Sequence, residues 1–243
     1  MRKPLVIAVA QPHCVAYDVE ANAATHAATI RAARARVVVF PELSLTGYEL
    51  DAPVVGAEDR RLTAIVEACA ATGSLALVGA PVPGGAGRSH IGMLAVDDAG
   101  ATVAYRKRWL STPEAERFSP GSEPAVLEID GWRLGLAICK DTGIAQHSSD
   151  TAALGIDAYV AGVLEAAVDA AVPDQRARRI AAAHHIWVAM ASFAGATGGG
   201  YSRAAGGSAV WNPSGVIVAQ AGPETGAVAR APFTEGARSK SRG

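Results

Sequence analysis

The 243-residue sequence predicts a single α/β or α+β domain with a mixed β-sheet. Short runs rich in Val, Ile and Leu alternate with longer Ala-rich amphipathic stretches, as they do in βαβ units. In the middle of the chain this alternation gives way to strands joined by short turns. Neither an internal repeat nor a linker divides the chain. Residues 1–234 are therefore expected to form one domain, and residues 235–243 a polar, mobile tail.

The first half of the chain supplies the alternating units. An apolar run that stops before Pro12 predicts the first strand, and an amphipathic, Ala-rich stretch predicts the first helix. The second helix is expected to end at Gly73, a residue suited to a helix C-terminus. In chain order we predict a strand at 5–11, a helix at 19–35, a strand at 37–40, a helix at 58–71 and strands at 75–81, 91–96 and 102–105.

The second half begins with a segment of different character. Residues 107–123 carry two prolines, Gly121 and many charged side chains, which predicts a site-building loop. Beyond it the alternation of strands and helices returns, and a glycine-rich loop is expected at 195–207 before a hairpin around 212–215. The remaining predicted elements are strands at 126–129, 133–138, 158–163 and 187–192 and helices at 146–154 and 174–185.

The composition excludes several classes of protein. Twenty-two basic and 23 acidic side chains leave a net charge of −1, and 50% of the residues are hydrophobic, so neither disorder nor a basic surface for nucleic acid or anionic lipid is expected. The apolar run at 5–10 is shorter than the roughly 7–15 residues of a secretory signal, and no apolar stretch approaches the ~20 residues of a membrane span. The spacing of the three cysteines matches no zinc pattern. We therefore expect a cytoplasmic protein with free thiols, without a nucleic-acid or membrane partner.

Cys139 is the first candidate for chemistry. It closes the apolar strand at 133–138 and precedes Lys140 and a predicted helix. A thiol at such a turn can be exposed at the sheet edge, as in a nucleophile elbow, and the positive end of a helix there would favour the thiolate. The alternative is a small buried hydrophobic side chain, which is how cysteine commonly packs.

Two further residues stand at the ends of predicted strands. Glu42 follows the strand at 37–40, at an edge where open α/β sheets bind ligands, and partial burial would raise its pKa enough for a general base. Lys107 follows the strand at 102–105 and could stabilise an oxyanion. The alternatives are a solvated turn for Glu42 and a solvated basic edge for Lys107. Glu114, in the following loop, is unremarkable by itself.

The order of these residues resembles the nitrilase superfamily of carbon-nitrogen hydrolases. Glu42 and Lys107 are 65 residues apart, and Lys107 and Cys139 are 32 apart. The resemblance covers residues 5–229. It rests on Phe40-Pro41-Glu42-Leu43-Ser44-Leu45-Thr46-Gly47-Tyr48, Tyr105-Arg106-Lys107, Glu114 with Phe118-Ser119-Pro120-Gly121, Gly135-Leu136-Ala137-Ile138-Cys139-Lys140-Asp141, Gly155-Ile156-Asp157, Gly206-Gly207-Ser208 and Asn212-Pro213-Ser214-Gly215.

The resemblance implies a four-layer αββα sandwich and a Glu-Lys-Cys site that needs no metal or cofactor. Cys139 would be the nucleophile, Glu42 the general base, and Lys107 the oxyanion stabiliser together with the backbone N–H of Lys140. Glu114 would orient Lys107 or the substrate. The implied activity is hydrolysis of a small linear or N-carbamoyl amide, and the family commonly forms homodimers.

The substrate contacts are less specific. Tyr48, Phe118, Val163 and Leu164 would form pocket wall by resemblance, or plain core by composition. Lys140 stands where many relatives carry an aromatic residue; it could lower the pKa of Cys139, bind a substrate carboxylate, or lie on the surface. Trp109 stands where a histidine is frequent. These departures leave two alternatives open, a nitrilase that acts on a nitrile and a catalytically silent member that binds small molecules.

Overall fold

The computed structural model describes residues 2–235 and contains two six-stranded β-sheets packed face to face between two layers of helices. This confirms the mixed α/β class and the αββα sandwich that the family resemblance implies. The predicted tail, apart from Glu235, lies outside the described residues. Within residues 2–235, no helix has the length and apolar composition that crossing a membrane requires.

The elements follow the predicted alternation closely. The helices are α1 (Val19–Ala33), α2 (Thr63–Thr72), α3 (Thr112–Arg117), α4 (Ala145–Ala153) and α5 (Val172–His184). The strands are β1 (Leu5–Ala10), β2 (Val37–Val39), β3 (Leu75–Pro83), β4 (Ser89–Asp97), β5 (Gly100–Arg106), β6 (Ala125–Ile129), β7 (Trp132–Ile138), β8 (Ala158–Val163), β9 (Trp187–Ser192), β10 (Ala194–Gly195), β11 (Ala204–Ala205), β12 (Ala209–Trp211), β13 (Ile217–Gln220) and β14 (Val228–Phe233).

The strand order brings the ends of distant strands to one edge of the sandwich. The first sheet has the order β14-β1-β2-β3-β4-β5 and the second β13-β12-β9-β8-β7-β6. Strands β1, β2 and β3 are parallel, as are β7, β8 and β9, and β5 runs in the direction of β3 because both are antiparallel to β4. The carboxyl ends of β2 and β5 therefore share one edge, as do those of β7 and β8, which is where α/β sheets place ligands.

Three hydrophobic cores hold the layers together. The central core lies between the sheets and joins Ile7 and Val39 of the first to Leu136 and Val160 of the second. One outer core joins α1 and α2 to the first sheet, and another joins α5 to the second. Because β2 and β8 are buried on both faces, they consist almost entirely of apolar residues, as the sequence pattern predicted.

Four elements depart from the prediction: α3, the two-residue strands β10 and β11, and β14. Residues 107–123 were expected to be a loop, but they contain α3. A capping box formed by Ser111 and Glu114 begins this helix. A helix of six residues is too short to show helical periodicity, so its local signals were the capping box and Pro113 in its first turn. Strand β14 was not predicted; it pairs antiparallel with β1, with Phe233 opposite Leu5. That pairing joins the two ends of the described chain.

Two glycines allow both sheets to approach the turn that follows β2. A Cβ atom on Gly79 of β3 would lie 2.4 Å from the backbone oxygen of Pro41, and one on Gly162 of β8 would lie 2.6 Å from that of Phe40 and 2.9 Å from the nitrogen of Glu42. Real Cβ atoms do not tolerate such distances to backbone atoms. The turn carrying Glu42 is therefore clamped between the first and second sheets.

Substituting Gly162→Ala should consequently destabilise the protein. The added methyl group must displace the backbone around Glu42, and overpacking of this kind costs about 1–3 kcal/mol. The matched control is Gly56→Ala, because nothing lies within 4 Å of a Cβ atom at Gly56. Thermal unfolding should give Gly162→Ala a midpoint several degrees below that of Gly56→Ala. Equal midpoints would contradict the clamp.

Candidate active site

Lys107 lies at the centre of a buried cluster of charges. Its Nζ donates hydrogen bonds to Glu42 Oε1 at 2.6 Å and to Glu114 Oε1 at 2.7 Å. The side chains of all three residues are at most 2% exposed. Burial alone would lower the pKa of Lys107, but Glu42, Cys139 and Glu114 raise it above its usual value. Lys107 is therefore a cation held between two carboxyl groups.

Glu114 reaches Lys107 from the short helix α3. Its Oε1 also accepts a hydrogen bond from the Tyr48 hydroxyl at 3.3 Å, and its Oε2 accepts one from the backbone N–H of Ser111 at 2.7 Å. Both oxygens of Glu114 are thus engaged, one in the cluster and one in the helix cap. This arrangement orients Lys107 and leaves Glu114 little freedom.

Glu42 has one oxygen without a partner. Oε1 binds Lys107, whereas Oε2 is buried and makes no hydrogen bond with the described residues. Burial raises the pKa of Glu42 to about 7, although Lys107 acts in the opposite direction. Buried polar atoms in proteins are rarely left unpaired. A carboxyl group with a free oxygen and a pKa near neutrality can take up and release a proton.

Cys139 stands at a strained turn directly after β7. Its φ of 41° is in the left-handed region, and residues Cys139–Gly143 form a 3-10 turn. The thiol is partly accessible and donates a hydrogen bond to the backbone oxygen of Leu164, with Sγ 3.3 Å from that oxygen. Such strain at a strand end is typical of a nucleophile elbow.

The expectation of a thiolate at Cys139 is wrong. Burial and the charge of Glu42 raise the pKa of the thiol well above its usual value, although Lys107 opposes them. The predicted helix N-terminus is not at the thiol, because α4 begins only at Ala145, beyond the 3-10 turn. The resting side chain is a neutral thiol, so nucleophilic attack needs a base to remove its proton.

A buried polar network joins the Lys107 segment to the Cys139 turn. Asp141 accepts hydrogen bonds from the backbone N–H of Trp109 at 2.9 Å and of Ile138 at 3.0 Å, and from the Tyr105 hydroxyl at 2.8 Å. Asp141 thereby fixes the turn after β7 against the end of β5. The sequence analysis assigned no role to this aspartate, although it lies two residues after the candidate nucleophile.

His147 of α4 also belongs to this network. Its Nε2 lies 2.9 Å from the Tyr105 hydroxyl and its Nδ1 lies 2.7 Å from the Tyr159 hydroxyl. Since Tyr105 donates its proton to Asp141, His147 donates from Nε2 and accepts at Nδ1. Burial, helped by Arg108, lowers the pKa of His147 to about 4, so the ring is neutral.

A second buried histidine supports the turn that carries Glu42. His26 Nδ1 lies 2.6 Å from the Asn22 backbone oxygen and Nε2 lies 2.8 Å from the Ser44 hydroxyl. The ring stacks on Phe40 with centroids 4.1 Å apart. Burial lowers its pKa to about 4. Helix α1 thus fixes the residues on both sides of Glu42.

The glycine-rich loop predicted at 195–207 is anchored at the site. The backbone N–H of Gly198 and the hydroxyl of Thr197 both donate to the Gly47 oxygen, at 2.8 and 2.9 Å. This places the Tyr201 ring edge-on to Tyr48, with centroids 5.5 Å apart. Burial raises the pKa of Tyr201, and the nearby acidic groups of Cys139, Glu165, Glu42 and Glu114 raise it further. The sequence analysis missed Tyr201.

The predicted substrate contacts separate into two groups. Tyr48 and Leu164 meet the cluster through the contacts described above, and Phe118 is buried in the central core. Val163 instead packs in the outer core that contains α5, against which Cys139 also packs. Lys140 is exposed and its Nζ donates to the Leu110 oxygen at 2.6 Å, which favours the surface interpretation.

The three cysteines are free. Across residues 2–235, no three His, Cys, Asp or Glu side chains are arranged to hold a metal ion.

Removing the Tyr105 hydroxyl should weaken both sides of the network. In Tyr105→Phe, Asp141 loses one of its three donors but keeps two backbone N–H groups, whereas the N–H of His147 loses its acceptor, and an unsatisfied buried group costs about 1–3 kcal/mol. The matched control is Tyr17→Phe, whose hydroxyl bonds the exposed Asp51 at 2.7 Å. Chemical denaturation should show a loss of about 1–3 kcal/mol for Tyr105→Phe and below about 0.5 kcal/mol for the control. Equal losses would contradict the network's role.

Solved structures share this fold over nearly the whole chain. An amidase from Nesterenkonia sp. superposes with a TM-score of 0.84 at 24% identity, covering 96% of this chain and 92% of that one. Saccharomyces cerevisiae Nit3, a member of branch 10 of the nitrilase superfamily, superposes with a TM-score of 0.83 at 21% identity, covering 94% and 89%. At these identities the likeness establishes the fold alone.

Sequence comparison identifies the family. A hydrolase encoded in the pqqF 5′ region of Pseudomonas protegens is 27% identical over 181 residues, which is 70% of this chain and 62% of that protein. The chain therefore spans less than two thirds of the length of this relative. The carbon-nitrogen hydrolase profile matches residues 6–236. With the αββα sandwich and this match over most of its length, the chain belongs to the carbon-nitrogen hydrolase family.

Proposed function

We propose that the protein is an amidase that hydrolyses small linear or N-carbamoyl amides through a thioester on Cys139. The observation that carries this proposal is the free, buried Oε2 of Glu42 in a cluster with Lys107, beside a neutral thiol on a strained turn. Glu42 can accept a proton, Lys107 can stabilise an oxyanion, and Cys139 can supply the nucleophile. The coarser conclusion, a carbon-nitrogen hydrolase, follows from the family.

In the first step Glu42 acts as the general base. Its carboxylate takes the thiol proton on Oε2 while Sγ of Cys139 attacks the amide carbon. The raised pKa of Glu42 makes it a stronger base than an exposed glutamate, and the raised pKa of Cys139 explains why the thiol does not ionise unaided. The developing sulfur-carbon bond converts the amide into a tetrahedral intermediate.

Lys107 stabilises the negative charge on the amide oxygen in that intermediate. A buried ammonium acts strongly on a nearby oxyanion because little water screens it. Glu114 keeps Nζ in place through the 2.7 Å hydrogen bond. The intermediate then collapses: Glu42 returns the proton to the nitrogen, the carbon-nitrogen bond breaks, and ammonia or an amine leaves a thioester.

Hydrolysis of the thioester repeats the same proton transfers with water. Glu42 takes a proton from the attacking water, the carbon-sulfur bond breaks, and the proton returns to Sγ as the carboxylic acid leaves. A structural relative supports the choice of nucleophile: in mutants of the Nesterenkonia sp. AN1 amidase, acrylamide and the acetamide moiety of fluoroacetamide are bound covalently to the active-site cysteine. The amide class is proposed for this chain on that likeness and on its own site.

The direct test is ammonia release from a panel of small amides, N-carbamoyl amino acids and nitriles. We expect turnover of an amide class that disappears in Cys139→Ala and falls about 100-fold or more in Glu42→Gln, since general base catalysis contributes roughly 10²–10⁴-fold. Cys14→Ala is the matched control, because Cys14 is also a partly exposed free thiol.

The outcomes distinguish the alternatives. Turnover confined to nitriles would identify a nitrilase, and turnover that survives Cys139→Ala would refute the nucleophile. A folded protein that binds amides and turns over no member of the panel would favour a silent binding function.

The pH dependence tests the base separately. Glu42 must be deprotonated to accept the thiol proton, and its pKa is raised to about 7. Hence kcat/KM should be low below pH 6, rise through about pH 7 and level off above it. Initial rates between pH 5 and pH 9 measure this rise in kcat/KM, with enzyme stability checked at each pH. A profile that is flat from pH 5 upward would exclude Glu42 as the titrating base.

A further inference from the structure

A third carboxylate, Glu165, lies at the entrance to Cys139. Strands β7 and β8 are parallel neighbours with Ile138 opposite Gly162, so the chain that leaves β8 passes the nucleophile turn. The backbone oxygen of Leu164 accepts the hydrogen bond from Cys139 Sγ at 3.3 Å. Glu165 is the next residue, and neither the sequence motifs nor the catalytic cluster assigns it a role.

Glu165 has one oxygen available to a ligand. Arg176 Nη1 donates to Oε1 at 2.5 Å, whereas Oε2 accepts no hydrogen bond from the described residues. The side chain is 17% exposed, so a small molecule can reach it. Burial raises its pKa, and Arg176 opposes that shift and favours the carboxylate.

Arg176 holds Glu165 from the side of α5. Besides Glu165, its Nη1 contacts Thr142 Oγ1 at 3.4 Å, and that hydroxyl donates to the Cys139 oxygen at 2.7 Å. Its guanidinium also lies against Gly143, where a Cβ atom would be 3.3 Å from Nε. Arg176 thus links Glu165 to the nucleophile turn.

The charge of Glu165 acts on the site itself. It is among the groups that raise the pKa of the Cys139 thiol and of Tyr201. Glu42 also raises the thiol pKa, and Lys107 is the cation that lowers it. The side chain of Tyr201 is partly exposed, and its hydroxyl makes no hydrogen bond within residues 2–235. The approach to the thiol therefore offers acceptor oxygens and a negative field.

We propose that Glu165 is a specificity-determining residue that favours amides whose far end carries an ammonium or another hydrogen-bond donor, and that it disfavours amides with a carboxylate there. A donor group can bind Oε2 without displacing Arg176. A carboxylate would approach Glu165 and its neighbouring carboxyl groups as a like charge. This inference rests on the proposed amidase function and names the substrate class within it.

Three amides of matched length provide the test. They are 3-aminopropanamide, which is a cation at pH 7, butanamide, which is neutral, and succinamate, which is an anion. We expect kcat/KM to decrease in that order, with at least about a 10-fold ratio between the cation and the anion, equivalent to about 1.4 kcal/mol. The ratio compares substrates on one enzyme, so differences in folded fraction cancel.

The variant Glu165→Gln removes the charge and keeps the shape of the side chain. The ratio of cation to anion should fall to within about threefold of unity. Glu67→Gln is the matched control, since Glu67 is an exposed glutamate on α2 in the opposite outer layer, and it should keep the wild-type ratio. An unchanged ratio in Glu165→Gln, or a wild-type preference for succinamate, would overturn the proposal.

A second measurement does not depend on turnover. Methanethiosulfonates with an aminoethyl or a sulfonatoethyl group form mixed disulfides with a thiol and release methanesulfinate. Peptide mass spectrometry gives the rate at Cys139, with Cys139→Ser as the blank. The cationic reagent should react at least about 10-fold faster relative to its rate with free cysteine, and Glu165→Gln should remove that preference.

The two measurements separate the two proposals. Charge selection of the reagents without turnover of any amide would leave the entrance inference standing and refute the amidase proposal. Turnover of amides with no charge selection in either assay would support the amidase proposal and overturn the inference about Glu165.

Discussion

The buried ammonium of Lys107, held between Glu42 and Glu114 at 2.6 and 2.7 Å, is the interaction on which the rest of the site depends. An isolated charge at such depth is very unfavourable, and only close partners of opposite charge compensate for it. Those partners come from the turn after β2 and from α3, while Lys107 itself follows β5. The cluster therefore exists only when these elements are all in place.

The surrounding structure is arranged to hold that geometry. Gly79 and Gly162 let both sheets clamp the Glu42 turn, and His26 fixes its flank. Asp141 and His147 tie the end of β5 to the nucleophile turn. Both histidines have a lowered pKa and bond as neutral rings, so they position their neighbours without adding charge near Lys107. Pre-organisation of this kind stabilises charge that develops during a reaction.

The electrostatics also explain the separate roles of Glu42 as base and Cys139 as nucleophile. Burial and neighbouring carboxylates keep the proton on sulfur, and the same burial raises the pKa of the Glu42 carboxyl to about 7. A base and a nucleophile with these properties exchange a proton only when an electrophile arrives, which limits unwanted reactions of a free thiolate. Glu165 extends the negative field to the entrance, and this connects the chemistry of the site to the selection of its substrate.

Much of the fold and half of the site could be predicted from the sequence. Apolar runs and amphipathic stretches report local backbone structure, so β1, α1 and the parallel strands were placed within a few residues, and motifs with strict order pointed to Glu42, Lys107, Glu114 and Cys139. What only the tertiary structure decided depends on distances between residues far apart in the chain. The neutral state of Cys139, the packing of Val163 in the outer core, the anchored Tyr201 loop and the network of Asp141 with His147 all belong to this group. Burial and charge act through space over a few ångströms, and a sequence does not state those distances until the chain has folded.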